Sequence, residues 1–149
     1  MLQKGDKAPD FSLPGNDGKT HTLAEFANKK LVLYFYPKDM TSGCTLQAQG
    51  YSALHEDFLE KAAVVVGVSP DSLKRHENFC AKVSIPYLLL SDADSQVAKS
   101  YGAFGKKKLY GREYEGVIRS TFVIQDGILL FADYGVKPAD DPETTLKRL

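Results

Sequence analysis

The stretch Leu31-Val-Leu-Tyr-Phe-Tyr-Pro-Lys-Asp-Met-Thr-Ser-Gly-Cys44 decides the fold of this 149-residue chain. Its first six residues are an unbroken run of apolar β-formers, which is typical of a central strand covered on both faces. A polar loop follows, and the helical spacing of apolar residues over 44–60 predicts a helix after it. One of only two cysteines, Cys44, is therefore predicted to lie where a helix begins, directly after a buried strand.

Shorter patterns of the same kinds predict the remaining elements. Apolar runs predict further strands at residues 10–13, 63–68, 87–90, 117–124 and 128–134. Capping signals predict a short helix after Thr22 with Glu25, a helix opened by Ser69 with Pro70 and ending near Lys82, a helix at 94–100, and a last helix opened by Asp141 with Pro142. The pair Asp126-Gly127 predicts a two-residue turn between the last two strands. Residues 102–116, rich in Lys and Gly, are predicted to form a loop.

The order of these elements indicates the fold class. Strand, helix, strand and helix, followed by an insertion, a hairpin and a helix, predict an α/β protein with a thioredoxin-like fold, in which a central mixed β-sheet is flanked by helices. No repeat, linker or low-complexity segment interrupts this order. We therefore expect residues 1–149 to form a single domain.

Composition excludes several classes of function. Nineteen basic residues balance nineteen acidic ones, so no overall field favours nucleic acid or an anionic membrane. The first residues lack the apolar core of a signal peptide, and no segment is apolar enough to span a bilayer. We therefore expect a cytoplasmic protein that binds neither nucleic acid nor membrane. In a reducing compartment, two cysteines suggest catalysis or redox sensing more than a disulfide scaffold.

The predicted surroundings of Cys44 favour a reactive thiolate. Unpaired N–H groups and aligned peptide dipoles at a helix start stabilise negative charge on sulfur. Thr41 brings a hydroxyl that can both donate and accept near the same pocket. Pro37 fixes the chain direction and removes a backbone donor, and Gly43 lets the backbone approach a ligand on the sulfur. The alternative, a small apolar cysteine that fills the core, fits a polar, glycine-flanked loop poorly.

These residues carry a family resemblance. The segment Tyr34-Phe-Tyr-Pro-Lys-Asp-Met-Thr-Ser-Gly-Cys44 resembles the active-site segment of peroxiredoxins, Pro-x-x-x-Thr-x-x-Cys, and is similar to that of the bacterioferritin-comigratory, or PrxQ, subfamily. Three further segments resemble the same subfamily in the same order: Gly5-Asp-Lys-Ala-Pro-Asp-Phe11, Val66-Gly-Val-Ser-Pro-Asp71 and Ile118-Arg-Ser-Thr-Phe-Val-Ile124. The resemblance covers nearly the whole chain.

The resemblance implies a thiol peroxidase without a cofactor. Cys44 would be the peroxidatic residue, which attacks a peroxide oxygen and becomes a sulfenic acid. Thr41 would hydrogen-bond the incoming peroxide, Pro37 would shield the sulfenate from water, and Arg119 would hold the thiolate and the stretching O–O bond. The residues alone leave open that Arg119 is a solvent-exposed strand residue. The implied substrates are hydrogen peroxide and small organic hydroperoxides, the implied reductant is thioredoxin or a similar dithiol protein, and the implied state is a monomer.

The chain departs from the subfamily at the residue that resolves the sulfenic acid. Many members carry a second cysteine five residues after the first, where this chain has Gln49; Gln47 stands where glutamate is common, and Ser42 where proline is common. Some members resemble this chain in placing the resolving thiol in a later helix, which here makes Cys80 the resolving residue. The alternative is that Cys80 is a core residue, since it shares a helical stripe with the earlier Leu73; the resolving role is favoured.

Helix geometry predicts that the two thiols are separated in the reduced protein. Cys80 lies eleven residues beyond Ser69, or roughly 16 Å along its helix from the sheet edge at which both helices begin. A disulfide needs Cα atoms within about 7 Å. We therefore expect that a bond between Cys44 and Cys80 requires local unwinding around one or both.

Three other functions are weighed against this one. Cys80 could be inert, so that an external thiol attacks the sulfenic acid in a one-cysteine cycle. A thioredoxin-like disulfide reductase is disfavoured, because Gln47 occupies the position of the second cysteine of a C-x-x-C couple. The chain could also be a non-enzymatic thioredoxin-fold binding module or chaperone. The histidines are scattered and no glycine-rich nucleotide loop follows a strand, so no metal or cofactor is expected.

Overall fold

The computed structural model describes residues 1–149, with the exception of the side chain of Leu109. The strands are β1 (Ser12–Pro14), β2 (Thr20–Thr22), β3 (Lys30–Phe35), β4 (Ala63–Ser69), β5 (Leu88–Ser91), β6 (Phe104–Leu109), β7 (Arg112–Val117), β8 (Ser120–Gln125) and β9 (Ile128–Tyr134). The helices are α1 (Ser42–Ala53), α2 (His55–Glu60), α3 (Leu73–Val83), α4 (Gln96–Ser100) and α5 (Asp141–Lys147), with a 3₁₀ helix at Leu23–Phe26.

Five of these strands form the central sheet, in the order β5-β4-β3-β8-β9. Strand β3 pairs in parallel with β4, and β4 pairs in parallel with β5. On its other side β3 pairs antiparallel with β8, which pairs antiparallel with β9. The sheet is therefore mixed, as predicted, and β3 lies at its centre.

The side chains of β3 alternate between two apolar clusters. Leu31, Leu33 and Phe35 pack into one cluster, and Val32 and Tyr34 pack into the other. Successive side chains of a strand point to opposite faces of a sheet, so a strand covered on both faces reads as an uninterrupted apolar run. Residues of α1, α2 and α3 belong to the second cluster, which places these helices together on one face of the sheet.

Several predicted ends and turns are confirmed. The carboxylate of Glu25 accepts a hydrogen bond of 2.7 Å from the backbone N–H of Thr22, although the helix that follows is 3₁₀. Asp126 and Gly127 have φ angles of 51° and 79°, which is the backbone of a type I′ hairpin turn. Helix α5 begins with Asp141 and carries a proline in its first turn.

Three predicted helices have different bounds in the structure, and one of them, α4, begins at Gln96 and not at residue 94. The third helix begins at Leu73 and not at Pro70, because β4 continues through Ser69, whose hydroxyl bonds Asp71. Its N-cap is Ser72, whose side chain accepts from the backbone N–H of Arg75. The helix predicted over 44–60 is two helices, α1 and α2, separated at Leu54.

The prediction of a loop at residues 102–116 is wrong for most of this region. Strands β6 and β7 form an antiparallel hairpin that pairs Phe104 with Val117. Its polar side chains do not alternate with apolar ones, because the hairpin is a separate two-stranded sheet and not part of the core sheet. The strand predicted from residue 117 begins only at Ser120, so Arg119 lies in the short connection between β7 and β8.

No helix among the described residues is long and apolar enough to cross a membrane.

Candidate active site

Cys44 is the third residue of α1 and is almost fully buried, with 1% of its surface exposed. Thr41 precedes the helix in an extended conformation, and its carbonyl accepts the first helical hydrogen bond, from the N–H of Thr45. The N–H groups of a helix's first turn have no partner within the helix. The sulfur of Cys44 therefore lies at the positive end of α1, as the sequence predicted.

Arg119 contacts Cys44 directly. Its Nη2 donates to Sγ of Cys44 at 3.4 Å, and its Nη1 donates to Oε1 of Gln47 at 2.7 Å. Among the described side chains, no carboxylate forms an ion pair with Arg119. The positive charge is thus available to the sulfur, and the alternative of a solvent-exposed strand residue is wrong.

Gly43 leaves the space that this contact needs. A Cβ atom added to Gly43 would lie 3.2 Å from Nη2 of Arg119 and 3.5 Å from a ring carbon of Pro138. A distance of 3.2 Å is shorter than an ordinary contact of a methyl group, so a side chain at this position would displace the guanidinium. The predicted close approach at Gly43 is made by Arg119.

A buried chain of hydrogen bonds that begins at Gln47 fixes the orientation of Arg119. Nε2 of Gln47 donates to Oδ2 of Asp141 at 2.9 Å. The same carboxylate oxygen accepts from the hydroxyls of Tyr51 at 2.5 Å and Thr121 at 2.8 Å. Burial, followed by the charge of Asp141, raises the pKa of Tyr51 well above its ordinary value, so Tyr51 remains a neutral donor. Arg119 is therefore held by a network that joins α1, β8 and α5.

Sequence reasoning did not find this network. It noted Gln47 as a departure from the subfamily and as the residue that rules out a C-x-x-C couple, and it treated Asp141 only as a helix start. Gln47 and Asp141 are 94 residues apart, so only the folded chain brings them together. The sole sequence signal is that Gln47 lies three residues after Cys44 and hence on the same helical face.

A cavity of about 750 Å³ opens beside the thiol. Pro37, Thr41, Gly43 and Arg119 line it. The buried Cys44 is not part of the lining but is bonded to Arg119, so the structure brings these predicted site residues together. Cys80 is the predicted site residue that lies elsewhere. The hydroxyl of Thr41 donates to the Lys38 carbonyl at 2.9 Å.

The β6–β7 hairpin forms the far wall of the cavity through Phe104, Lys107, Tyr114 and Val117. Nζ of Lys107 donates to the carbonyl of Val117 at 2.8 Å. Burial and the neighbouring charge of Arg119 lower the pKa of Lys107, while Cys44 acts in the opposite direction. The hairpin that the sequence did not predict therefore adds a second basic group near the thiol.

Cys80 lies on α3, away from the cavity lining. Its sulfur accepts a hydrogen bond of 3.2 Å from the side-chain amide of Asn16. Burial, and secondarily the charge of Asp39, raise the pKa of the Cys80 thiol to about 11. Cys44 and Cys80 are both free thiols, and the local unwinding that would join them stays a prediction.

The described residues contain no group of three His, Cys, Asp or Glu side chains arranged to hold a metal ion. The groups that the site presents are the thiol of Cys44 and the guanidinium of Arg119, beside the cavity. A mixed sheet with a buried thiol at a helix start, bonded to an arginine beside an open cavity, defines a cysteine-centred redox protein.

Comparison with known proteins gives the family. The model of the AhpC/TSA family matches residues 4–132, and the chain belongs to this family. The Helicobacter pylori protein named putative peroxiredoxin bcp is 48% identical over 149 residues, with 99% of this chain and 98% of that protein covered. Peroxiredoxin Bcp of Bacillus subtilis is 43% identical, with 99% and 95% covered.

A solved structure supports the same assignment. The Xanthomonas campestris bacterioferritin comigratory protein, solved to give insights into its alkyl peroxide reduction activity, superposes with a TM-score of 0.87 at 36% identity, covering 92% of this chain and 88% of that one. Structures of the same organism's peroxiredoxin Q include two cysteine-to-serine mutants, whose substituted positions are thirty-six residues apart. The resemblance to Bcp and PrxQ peroxiredoxins and the thioredoxin-like fold are confirmed, and peroxiredoxins are thiol-dependent peroxidases.

Proposed function

We propose that this peroxiredoxin is a two-cysteine peroxidase in which Cys44 is oxidised by peroxide and Cys80 resolves the product. It reduces hydrogen peroxide and small organic hydroperoxides without a cofactor, acts as a single-domain monomer in the cytoplasm, and is recycled by thioredoxin or a similar dithiol protein. The observation that carries the proposal is the hydrogen bond of 3.4 Å from Arg119 to the buried sulfur of Cys44.

In the first step the thiolate of Cys44 attacks one peroxide oxygen. The S–O bond forms, the O–O bond breaks, and the second oxygen leaves as an alkoxide or hydroxide that takes up a proton, so that Cys44 becomes a sulfenic acid. Negative charge spreads from sulfur to the departing oxygen, and a donor already aimed at this position lowers the barrier. Arg119 is that donor, and its second nitrogen is held in place by Gln47.

Thr41 and Pro37 act on the peroxide side of the sulfur. Both line the cavity through which a peroxide approaches. The Thr41 hydroxyl exchanges the Lys38 carbonyl for a peroxide oxygen, because a hydroxyl can turn to a new partner by rotation about χ1. Pro37 has no N–H to hydrate, so its ring keeps water away from the sulfenate.

In the second step the Cys80 thiol attacks the sulfenic sulfur. An S–S bond forms, the S–O bond breaks, and the oxygen leaves as water with the thiol proton. Cys44 and Cys80 are thirty-six residues apart, the separation of the two cysteines replaced in the Xanthomonas campestris mutants. An external dithiol then reduces the disulfide and is itself oxidised to a disulfide, which restores both thiols.

A one-cysteine cycle is the second candidate, and one observation favours it. The pKa of Cys80 is raised to about 11, so very little of this thiol is ionised at neutral pH while it remains in place on α3. In that cycle Cys80 stays reduced and an external thiol attacks the sulfenic acid directly. A protein whose Cys44 does not react with peroxide would instead be a thioredoxin-fold binding module.

Steady-state peroxide consumption tests the proposal. The assay couples the protein to thioredoxin, thioredoxin reductase and NADPH, and compares wild type with Cys44→Ser and Cys80→Ser. We expect Cys44→Ser to abolish turnover, and Cys80→Ser to lose turnover with thioredoxin while still forming a sulfenic acid. Undiminished activity of Cys44→Ser would overturn the peroxidase assignment, and undiminished turnover of Cys80→Ser would establish the one-cysteine cycle.

A further inference from the structure

Asp39 lies five residues before Cys44 and is buried, with 1% of its surface exposed. Each polar group of its backbone and side chain makes a hydrogen bond. Its backbone N–H donates to Asp71 at 2.6 Å, and its carbonyl accepts from Arg75 at 3.2 Å. Its two carboxylate oxygens bond the Tyr36 hydroxyl at 2.6 Å and Nδ1 of His76 at 2.7 Å. Asp71, Arg75 and His76 lie in or directly before α3, so Asp39 fastens the Cys44 loop to the helix of Cys80.

His76 is fully buried, and both of its ring nitrogens are hydrogen-bonded. Its Nε2 bonds the carbonyl oxygen of Leu90 at 2.8 Å, and a carbonyl can only accept, so Nε2 carries a proton. Nδ1 lies 2.7 Å from Oδ2 of Asp39, while Oδ1 of the same side chain accepts from Tyr36, so one proton lies between Nδ1 and Oδ2. The two side chains are therefore joined by a short buried hydrogen bond, which is an ion pair when this proton lies on Nδ1.

The position of this pair connects it to the two thiols. His76 precedes Cys80 by four residues, one turn earlier on the same face of α3. Asp39 lies in the loop that leads into α1 and Cys44. Neither residue lines the active-site cavity, so neither contacts a peroxide bound there. The pair therefore joins the two segments whose local unwinding is the predicted requirement for a Cys44–Cys80 disulfide.

The residue after Asp39 shows that the loop is held under strain. Met40 has a φ of 67°, in the left-handed region that a side chain of this size rarely adopts. Such a conformation persists only where surrounding contacts impose it, and here the bonds at Asp39 are those contacts. Release of Asp39 allows Met40 to relax to an ordinary backbone conformation, which favours the open loop.

We propose that Asp39 and His76 are positioning residues that lock the reduced fold, and that the opening of this pair sets the rate at which Cys80 reaches the sulfenic acid of Cys44. The inference rests on the proposed two-cysteine function. When one partner of a buried pair is removed, the remaining charge is left without compensation. Loss of either partner therefore destabilises the closed arrangement and accelerates disulfide formation.

The test follows disulfide formation after one equivalent of hydrogen peroxide. Wild type, His76→Gln, Asp39→Asn and the double variant are quenched with acid at set times, alkylated and analysed by mass spectrometry. Val83→Ala is the matched control, since Val83 also lies on α3 and packs against the second apolar cluster, but its side chain makes no hydrogen bond to the loop. Oxidation of Cys44 to the sulfenic acid is timed separately in each variant, so that a changed first step is not mistaken for a changed second step.

We expect each single variant to convert sulfenic acid to disulfide at least about tenfold faster than wild type, which corresponds to about 1.4 kcal/mol. The double variant is expected to gain little over the singles, because both replacements open the same pair. Rates in the single variants equal to that of Val83→Ala would overturn the lock. If His76→Gln does not fold, Asp39→Asn decides the question.

A second measurement on wild type tests the charge itself. In the reduced protein, nitrogen NMR of labelled histidine is expected to show protons on both ring nitrogens of His76, and in the disulfide form the Nδ1 bond is expected to be lost. A neutral ring in the reduced protein would overturn the ion pair. Absence of any disulfide in wild type would overturn the two-cysteine function instead, so the two failures are distinguishable.

Discussion

Nη2 of Arg119 lies 3.4 Å from Sγ of Cys44, and the same guanidinium donates through Nη1 to Gln47. A planar guanidinium makes both bonds at once, whereas a lysine ammonium offers only a point charge on a flexible stem. The side chain that contacts the thiol is therefore positioned by a second residue of the thiol's own helix. In the proposed mechanism we therefore expect the reactivity of Cys44 to depend on the geometry of the guanidinium as much as on its charge.

Replacement of Arg119 tests the two hydrogen bonds of its guanidinium directly. Arg119→Met is expected to lower the second-order rate constant of Cys44 oxidation by roughly a hundredfold, the typical effect of removing one preorganised donor. The rate constant of Arg119→Lys is expected to lie between those of Arg119→Met and wild type. The rate is measured by competition with a peroxidase of known rate. Arg112→Met removes an exposed arginine of β7 as the control, and a rate for Arg119→Met within threefold of this control would contradict the role of Arg119.

Gln47→Ala is expected to reduce both stability and activity. It leaves Arg119 and the buried Asp141 each without one partner, so the free energy of unfolding should fall by about 1–3 kcal/mol. The rate of Cys44 oxidation should also fall severalfold, because the guanidinium loses its support. Urea denaturation and the competition assay measure the two effects. Gln49→Ala, an exposed change on the same helix, is the control; equal stabilities for the two variants would show that the buried bonds of Gln47 contribute nothing.

Gly43→Ala is expected to slow Cys44 oxidation by up to about tenfold, because the new methyl displaces Nη2 of Arg119 from the sulfur and small misplacements of catalytic groups are costly. The double variant Gly43→Ala with Arg119→Met separates this route from any other. If the methyl acts only through the guanidinium, it slows the Arg119→Met protein no further. An undiminished effect of the methyl in that background would contradict the explanation.

Alkylation of Cys80 should depend steeply on pH. Since the folded-state pKa is raised from its ordinary 9.0 to about 11, the rate of reaction with iodoacetamide should rise about tenfold per pH unit from pH 7 until it levels off near 11. The raised pKa also makes protein stability depend on pH. The protonated thiol stabilises the folded state fully below pH 9, and this stabilisation is lost as the pH rises toward 11. Mass spectrometry of each cysteine after brief labelling measures the profile. A plateau near pH 9 would show that burial and Asp39 do not affect this thiol.

The sequence was sufficient to predict the core sheet and the position of the thiol at a helix start, because local patterns encode both. The unbroken apolar run of residues 31–36 identifies the central strand, and the loop that ends in Gly43 identifies the helix start. The β6–β7 hairpin was missed because it lies outside the core sheet and lacks an alternating apolar pattern. The start of α3 was misplaced because Ser69 and Ser72 offer equivalent capping side chains, and only the length of β4 distinguishes them.

The polar contacts of the site could not be read from the sequence in the same way. Asp141 reaches Gln47 across 94 residues and His76 reaches Asp39 across 37, and no local pattern records such pairs. Arg119 was found through a family resemblance and not through its own surroundings. Arg119 lies in the connection between β7 and β8, and its side chain reaches Cys44 across 75 residues.

The most direct test of the central claim is to treat the reduced protein with one equivalent of hydrogen peroxide and map its thiols by mass spectrometry, beside Cys80→Ser. The account predicts an intramolecular Cys44–Cys80 disulfide in wild type and a sulfenic acid confined to Cys44 in the variant. A stable sulfenic acid on wild-type Cys44 would contradict the resolving role of Cys80. An unreacted Cys44 would contradict the peroxidase itself.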